Sequence, residues 1–484
     1  MKRKSYPNWH RFFDSVIKFK NKINYKITNT HSEEQNRFLF IQSSFVAIKN
    51  VWDKILNIKS EALWVFWGQA GIALGVLLGV KILTHVLNPI EFGRLALANT
   101  VIVLIGTNLF GPVSQGLMRF WSISQERGEK SAFAAATKQI SIYLIYFVIL
   151  ISTIIFIFLV FSKWANWTKL LTIALIVGAI TGWNSIKISI LTAARKRKFI
   201  SLINTGGAFG KPVIAFTFVI MAGPKADWAM VGYLVTTLIV FYLLEKHYQK
   251  VVKRKEKQLP ETGDEKEKNK RLLQNILSFS WPFYIWGIFS WVHQSCDRWS
   301  LQTYHGAEVV GAFSVITYLA LYPLIFGSSF LNTLFIPIAY ERAGELASYR
   351  SMQSANRILF FMTGIFIGGS LLLVGFYFIF SQKLVLFISN INYIRYAYLL
   401  PWLTISWALF YWGQMLSGFG LLINKPRVYI LPIMVTGTFA ASLTFYLSSN
   451  YGPRGVVWGL GIAGLIYVLW CMAIAWKLLN PSTR

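Results

Sequence analysis

Lys211 stands in GGAFGKPVIAF, an ammonium group among glycines and apolar residues, near the middle of an apolar window at 199–221. A cation in the middle of such a window reaches neither end by extending its stem, so it needs an anion, a water-filled cavity or an ion pair. Lys187 lies near the end of an earlier window, where its stem can reach the surface, and Asn184 three residues before it shares its helical face. Together they suit phosphate oxygens or sugar hydroxyls. Lys81 and Arg298 stand near the ends of two further windows, where anion binding and snorkelling are both open readings. Asp297 is the one carboxylate well inside a window, and His293 precedes it by one helical turn. That pair could exchange a proton, or Asp297 could lock the helix end through a basic neighbour. Lys211, Lys187, Lys81, Arg298 and Asn184 are therefore expected to form a cationic binding surface, with Asp297 and His293 as the candidates for H⁺ or Na⁺ coupling.

Other chemistries lack support. The six histidines never take an H-x-x-x-H spacing, and neither a phosphate-binding G-x-x-x-x-G-K-[ST] nor a G-x-S-x-G nucleophile motif occurs. No catalytic residue, metal ligand or cofactor is expected. Cys296 and Cys471, the two cysteines, lie in apolar stretches and imply no disulfide framework.

The elements that must position these residues are membrane spans. Hydrophobic residues make up 55% of the 484 and charged residues 14%, too few charges to coat soluble domains. A mean hydropathy of +0.49 agrees. Twelve apolar windows long enough to cross a bilayer can be drawn, six between 64 and 245 and six between 273 and 477. The net charge of +29 need not mean nucleic acid, because Lys and Arg concentrate in loops on one side of this arrangement. That bias places both termini inside.

Residues 1–63 form a basic cytoplasmic extension in which Trp9, Phe12, Phe13, Val16 and Ile17 recur at helical spacing. An interfacial helix and a lightly structured tether are both compatible with it. Residues 246–272 read as a solvated basic linker, and 478–484 as a tail. Gly68, Gly71, Gly75 and Gly79 mark a small-residue face of the first span, suited to close helix packing or to a hinge. Trp281-Pro282 and Pro323 are expected to bend spans seven and eight. The aromatic residues of span seven read mainly as lipid anchors, and Arg119 as a positive-inside anchor.

The halves also repeat. HVLNPIEFGRLALA after the first span aligns with TYHGAEVVGAFSVI after the seventh, pairing Gly93 with Gly311, and SQERGEKSA later aligns with AYERAGELAS. Two six-helix lobes around a central cavity follow, an all-α polytopic arrangement suited to alternating access.

Four stretches then resemble the polysaccharide flippases of the multidrug/oligosaccharidyl-lipid/polysaccharide (MOP) exporter superfamily. They are WGQAGIALGVLLGVKILTHVLNPIEFGRLALA, CDRWSLQTYHGAEVVGAFSVITYL, IPIAYERAGE and SGFGLLINKPRVY, the D-R-x7-G-A-E-x-x-G run from Asp297 to Gly311 being the most specific. The resemblance implies a carrier in the bacterial inner membrane that moves undecaprenyl-diphosphate-linked saccharides to the outer leaflet, with a cationic cavity and ion coupling. Lipid-linked saccharide, membrane lipids and other polysaccharide assembly proteins are its implied partners. A small-molecule antiporter of the same superfamily and a membrane saccharide polymerase are the alternatives, the latter disfavoured by an outer connection, SQKLVLFISNINYIRY, that lacks carboxylates. The 60-residue leader departs from the usual family pattern.

Overall fold

The computed structural model describes residues 61–161, 165–252, 263–343, 349–423 and 425–479. The interfacial helix expected in the leader and the middle of the linker lie outside these residues. Every regular element described is helical.

The first half comprises α1 (Glu61–Val86), α2 (Pro89–Val103), α3 (Gly111–Glu126), α4 (Lys130–Val160), α5 (Thr168–Ala193), α6 (Arg197–Ala222) and α7 (Ala226–Val252). The second comprises α8 (Gly263–Ala343), α9 (Tyr349–Ile388), α10 (Leu400–Leu416), α11 (Gly418–Leu422), α12 (Ile430–Tyr451) and α13 (Pro453–Leu479). The helices on either side of the linker therefore reach into the segment read as solvated.

Local chemistry explains the first reversal. The Asn88 side chain accepts the Glu91 N–H at 2.9 Å, and Pro89 opens α2 where a helix needs no N–H. A π-helical turn, Leu104–Leu109, then joins α2 to α3 within one crossing. Pro112 follows it and has no N–H to offer the preceding turn, so the hydrogen-bond pattern must change there.

Among the described residues, ten helices are long and apolar enough to cross a membrane. One of them crosses twice. The 81 residues of α8 include Gly306 at φ 79° and ψ 175°, outside helical geometry, and the Arg298 guanidinium carbon lies 5.5 Å from the centre of the Tyr318 ring. Twenty residues of straight helix would separate these side chains by about 30 Å. The chain thus doubles back at Gly306, where the positive φ suits glycine. Pro282 and Pro323 lie inside the helical arms instead. A further crossing is carried by α10, entered through a 3₁₀ stretch at Ile391–Leu399. Twelve crossings result among the described residues, six in each half.

Counted by crossings, Val252, Gly263 and the C-terminal end of α13 fall at one end of the bundle, here called the linker end, and Gly306 at the far end. On α1, the glycine ridge packs on Ser201, Thr205, Ala208 and Pro212 of α6, and Ser201 donates to the Trp64 carbonyl at 2.6 Å. The first lobe buries Phe110, Val113, Leu117, Phe133 and Ile190 together, and Leu272 and Ile276 of α8 join them.

The two glycines aligned by the repeat meet. A methyl group on Gly93 would overlap the Ala307 carbonyl oxygen and stand 2.8 Å from the Gly311 nitrogen; one on Gly311 would overlap the Pro89 carbonyl oxygen and stand 3.0 Å from the Gly93 nitrogen. Nearby, Asn390 Nδ2 donates to the Thr84 carbonyl at 2.6 Å and Tyr393 Oη to the Leu87 carbonyl at 2.7 Å. Second-lobe side chains thereby satisfy carbonyls that the end of α1 leaves free, and the lobes are sealed at the far end.

Candidate functional site

From the Gly93–Gly311 crossing, α2–α3 and the returning arm of α8 run side by side toward the linker end. On the first, Asn99, Val103, Thr107, Gly111, Gln115 and Arg119 recur every four residues, and all keep accessible surface although Leu95, Ala98, Ile102, Val113 and Leu117 around them are buried. Nothing lies within 4 Å of where a Gly111 side chain would start. On the second, Tyr318 and Tyr322 are partly accessible, and Thr333, Pro337 and Tyr340 are exposed. Arg119 and Tyr340 are close enough to interact electrostatically. Accessible stripes on two central helices that touch at Gly93 and Gly311 are the candidate walls of a cleft closed at the far end.

Lys211 stands at the closed end of this cleft. Its ammonium lies 5.9 Å above the Tyr233 ring, and among the described residues no carboxylate pairs with it. The Tyr233 hydroxyl stands beside Asn99 and lies within electrostatic reach of Tyr318 and Tyr322 from the other lobe. The Tyr318 and Tyr322 rings are 5.8 Å apart, and Tyr411 of α10 borders Tyr322. Arg298 completes the group from the first arm of α8, over Tyr318. Five helices, α2, α6, α7, α8 with both its arms and α10, thus bring together Asn99, one lysine, one arginine and four phenols, a surface rich in donors for an anion and in flat rings for a sugar.

Asp297 does not enter that surface as a free acid. It is fully buried, accepts the Arg298 backbone N–H at 2.7 Å and has the Arg298 guanidinium at 4.0 Å, with Thr317 of the returning arm beside it. His293 is fully buried elsewhere, stacked on Phe410 at 4.2 Å with Trp407 edge-on at 6.0 Å. Among the described residues neither a hydrogen bond nor an ion pair joins the two, although they stand one turn apart. The one-turn spacing is met, but the ring is drawn toward α10 and the carboxylate toward Arg298.

The remaining sequence candidates are dispersed. Lys187 is buried between α5 and α7, ion-paired with Glu245 and flanked by Phe241 at 4.2 Å and Trp183 at 5.4 Å. Asn184 donates to the Thr237 carbonyl at 3.5 Å in the same seam. Lys81 lies at the far end over the Phe387 ring at 4.0 Å. Of the five residues expected on the cationic surface, Lys211 and Arg298 come together. The four tyrosines and Asn99 were not anticipated; the i, i+4 spacing of Tyr318 and Tyr322 was the available signal.

No protein-family model and no curated protein match this sequence. Solved structures do. An outward-facing multidrug resistance MATE family transporter of the MOP superfamily superposes with a TM-score of 0.60 at 16% identity, over 86% of this chain and 95% of that one. The fold is that of the MATE transporters. An inward-facing multidrug resistance MATE transporter of the same superfamily gives 0.62 at 15% identity, over 86% and 99%. A MOP superfamily transporter from Pyrococcus furiosus, described by a reverse polarity of its binding pocket that suggests a different function, gives 0.62 at 16%, over 87% and 95%. The all-α polytopic fold expected from the sequence is therefore shared with these transporters.

Proposed function

We propose that this chain is a membrane transporter that carries an anionic amphiphile by alternating access, and that its cargo is a lipid-linked saccharide diphosphate moved from the cytoplasmic to the outer leaflet of a bacterial inner membrane. The observation that carries this reading is Lys211, enclosed at the closed end of the cleft with no acidic partner among the described residues. A bare charge at mid-membrane costs at least a few kcal/mol, so a diphosphate needs a cation there and an unpaired lysine needs an anion. Arg119, exposed at the mouth with its guanidinium carbon 4.5 Å from the Phe279 ring, extends the same sign outward.

The seams between lobes support a lipid cargo. Thr100 of α2 accepts from both Trp291 Nε1 at 2.8 Å and Trp299 Nε1 at 3.0 Å, stitching α2 to the first arm of α8. At the repeat-related seam, α1 meets the returning arm through the edge-to-face contacts of Phe66 with Phe326 and Phe330, at 5.7 and 5.4 Å. Apolar contacts part more readily around an isoprenoid tail than hydrogen bonds do.

A second reading, export of small organic molecules, is favoured by the fold neighbours, two of which are described as multidrug resistance transporters. An exporter of organic cations would be expected to present acids to its cleft. The test is depletion of the protein, followed by mass spectrometry of isoprenoid-linked saccharides with an impermeant probe of leaflet. Accumulation of one unit confined to the inner leaflet supports the lipid reading; an unchanged, outwardly accessible pool favours the small-molecule one.

A further inference from the structure

The first lobe carries a charged surface that the cleft does not use. Just after the turn at 194–196 that joins α5 to α6, Phe199 of α6 stacks flat on His247 of α7, ring centres 3.8 Å apart. Lys196 and Lys250 are close enough to act on His247 electrostatically. The His247 Nε2 atom is shielded from solvent and has no hydrogen-bond partner among the described residues. Lys196, Lys246 and Lys250 are all exposed, and among the described residues none of them pairs with a carboxylate. The last two turns of α7 hold one acid, Glu245, which is engaged by Lys187 of α5 and by Gln249.

Toward mid-depth the same strip becomes apolar. At about 100° per residue, Phe199, Leu202 and Gly206 fall on the side of α6 opposite Lys211, while Ile239, Leu243, Lys246 and Lys250 share one side of α7. Leu202, Ile239 and Leu243 are exposed, and nothing lies within 4 Å of where a Gly206 side chain would start. Next to it, a methyl group on Gly207 would stand 3.3 Å from Val240 Cγ2, so the two helices touch along the edge of the strip. Between them runs a shallow furrow turned away from Lys211, cationic at the linker end and apolar below.

That order of surfaces selects its occupant. Lysines alone attract any anion, and an apolar furrow alone accepts any chain; a phosphate at the head with an acyl chain beneath it is an anionic membrane lipid. Basic pockets between membrane helices bind such headgroups, and lysine stems can reach the headgroup level from the ends of spans.

We propose that the α6–α7 furrow binds a resident anionic phospholipid of the leaflet at the linker end. Lys196, Lys246 and Lys250 hold its phosphate, His247 donates to it from Nε2, and an acyl chain lies along Leu202, Gly206 and Leu243. Lys211 faces the other way, so this lipid is distinct from the cargo, and the site stands or falls independently of the transport reading.

The test is photo-cross-linking of the full-length protein in phosphatidylcholine vesicles that contain a small fraction of phosphatidylglycerol with a diazirine in its acyl chain, the products being mapped by mass spectrometry. Cross-links are expected to concentrate on residues 199–206 and 239–243, at least 5-fold above those from a phosphatidylcholine carrying the same diazirine. That comparison uses the unaltered protein and needs no variant to fold. Lys196→Gln with Lys250→Gln should lower the phosphatidylglycerol signal at least 5-fold. Lys425→Gln with Arg427→Gln, which removes two exposed cations of the second lobe, should leave it unchanged. Labelling spread evenly over the lipid-facing helices, equal labelling by the two probes, or equal loss in the two double variants overturns the site. Removal of the cross-links by excess glycerol phosphate overturns the lipid assignment, because the headgroup would then bind without its chain.

Discussion

Gly93 and Gly311 lie backbone against backbone, each beside a carbonyl four residues upstream of the other: Ala307 for Gly93, Pro89 for Gly311. The reciprocity places this contact on the pseudo-twofold that relates the lobes. Helices that touch here and carry accessible stripes toward the linker end are joined at one end of the cleft and parted at the other. Rocking the lobes to open the far end must separate these glycines, together with the Asn390–Thr84 and Tyr393–Leu87 hydrogen bonds.

Gly93→Val should hold the far end apart. Overpacking of this kind costs about 1–3 kcal/mol, all of it borne by the far-closed state, so the conformational equilibrium should shift by roughly 5- to 150-fold. A cysteine introduced at Val103 would report it through faster labelling from the far side. Gly311→Val should act alike, and the double variant should add little to either single one, because both remove the same contact.

At the closed end of the cleft, Tyr318→Phe and Tyr322→Phe each remove one hydroxyl and keep the ring. A hydrogen bond to a charged ligand group contributes about 1.5–3 kcal/mol. Transport by a variant whose hydroxyl binds the cargo should therefore need roughly 10- to 150-fold more substrate for half-maximal rate. Unchanged substrate dependence in both variants would exclude these phenols as contacts.

The Lys187–Glu245 pair makes a stability prediction. Lys187 is buried while about a third of the Glu245 side chain is exposed, so solvent screening reduces the pair below a fully buried one. Glu245→Gln should cost about 1–3 kcal/mol and lower the unfolding temperature in detergent. Lys187→Met with Glu245→Gln should recover most of that loss, and transport by the double variant should persist.

Much of this was legible in the sequence, and the physical reason is the bilayer. Apolar windows give the crossings directly because each backbone polar group must be satisfied within a helix. The Gly93–Gly311 alignment was readable because close backbone approach tolerates few residues other than glycine. Lys211 stood out because a central lysine is costly. Pairings between distant segments were less visible. Glu245 lies 58 residues from Lys187 at the end of another span, and nothing local ties the two. His293 and Asp297 share a face by spacing, but a helix packed on several sides offers neighbours in different directions, and Phe410 and Arg298 took one each. Tyr233, Tyr318, Tyr322 and Tyr411 resembled the lipid-facing aromatics that surround them until the lobes were brought together.

The central claim is that Lys211 binds the anionic group of a lipid cargo. The direct measurement is reconstitution of the purified protein and its Lys211→Gln variant in liposomes containing a labelled isoprenyl-diphosphate saccharide, with leaflet exchange followed by an impermeant reagent. The account predicts exchange with the unaltered protein and a rate at least ~10-fold lower, about 1.4 kcal/mol, with Lys211→Gln at equal thermal stability. Equal rates for the two proteins, or uptake of organic cations with no exchange of the anionic lipid, would contradict it.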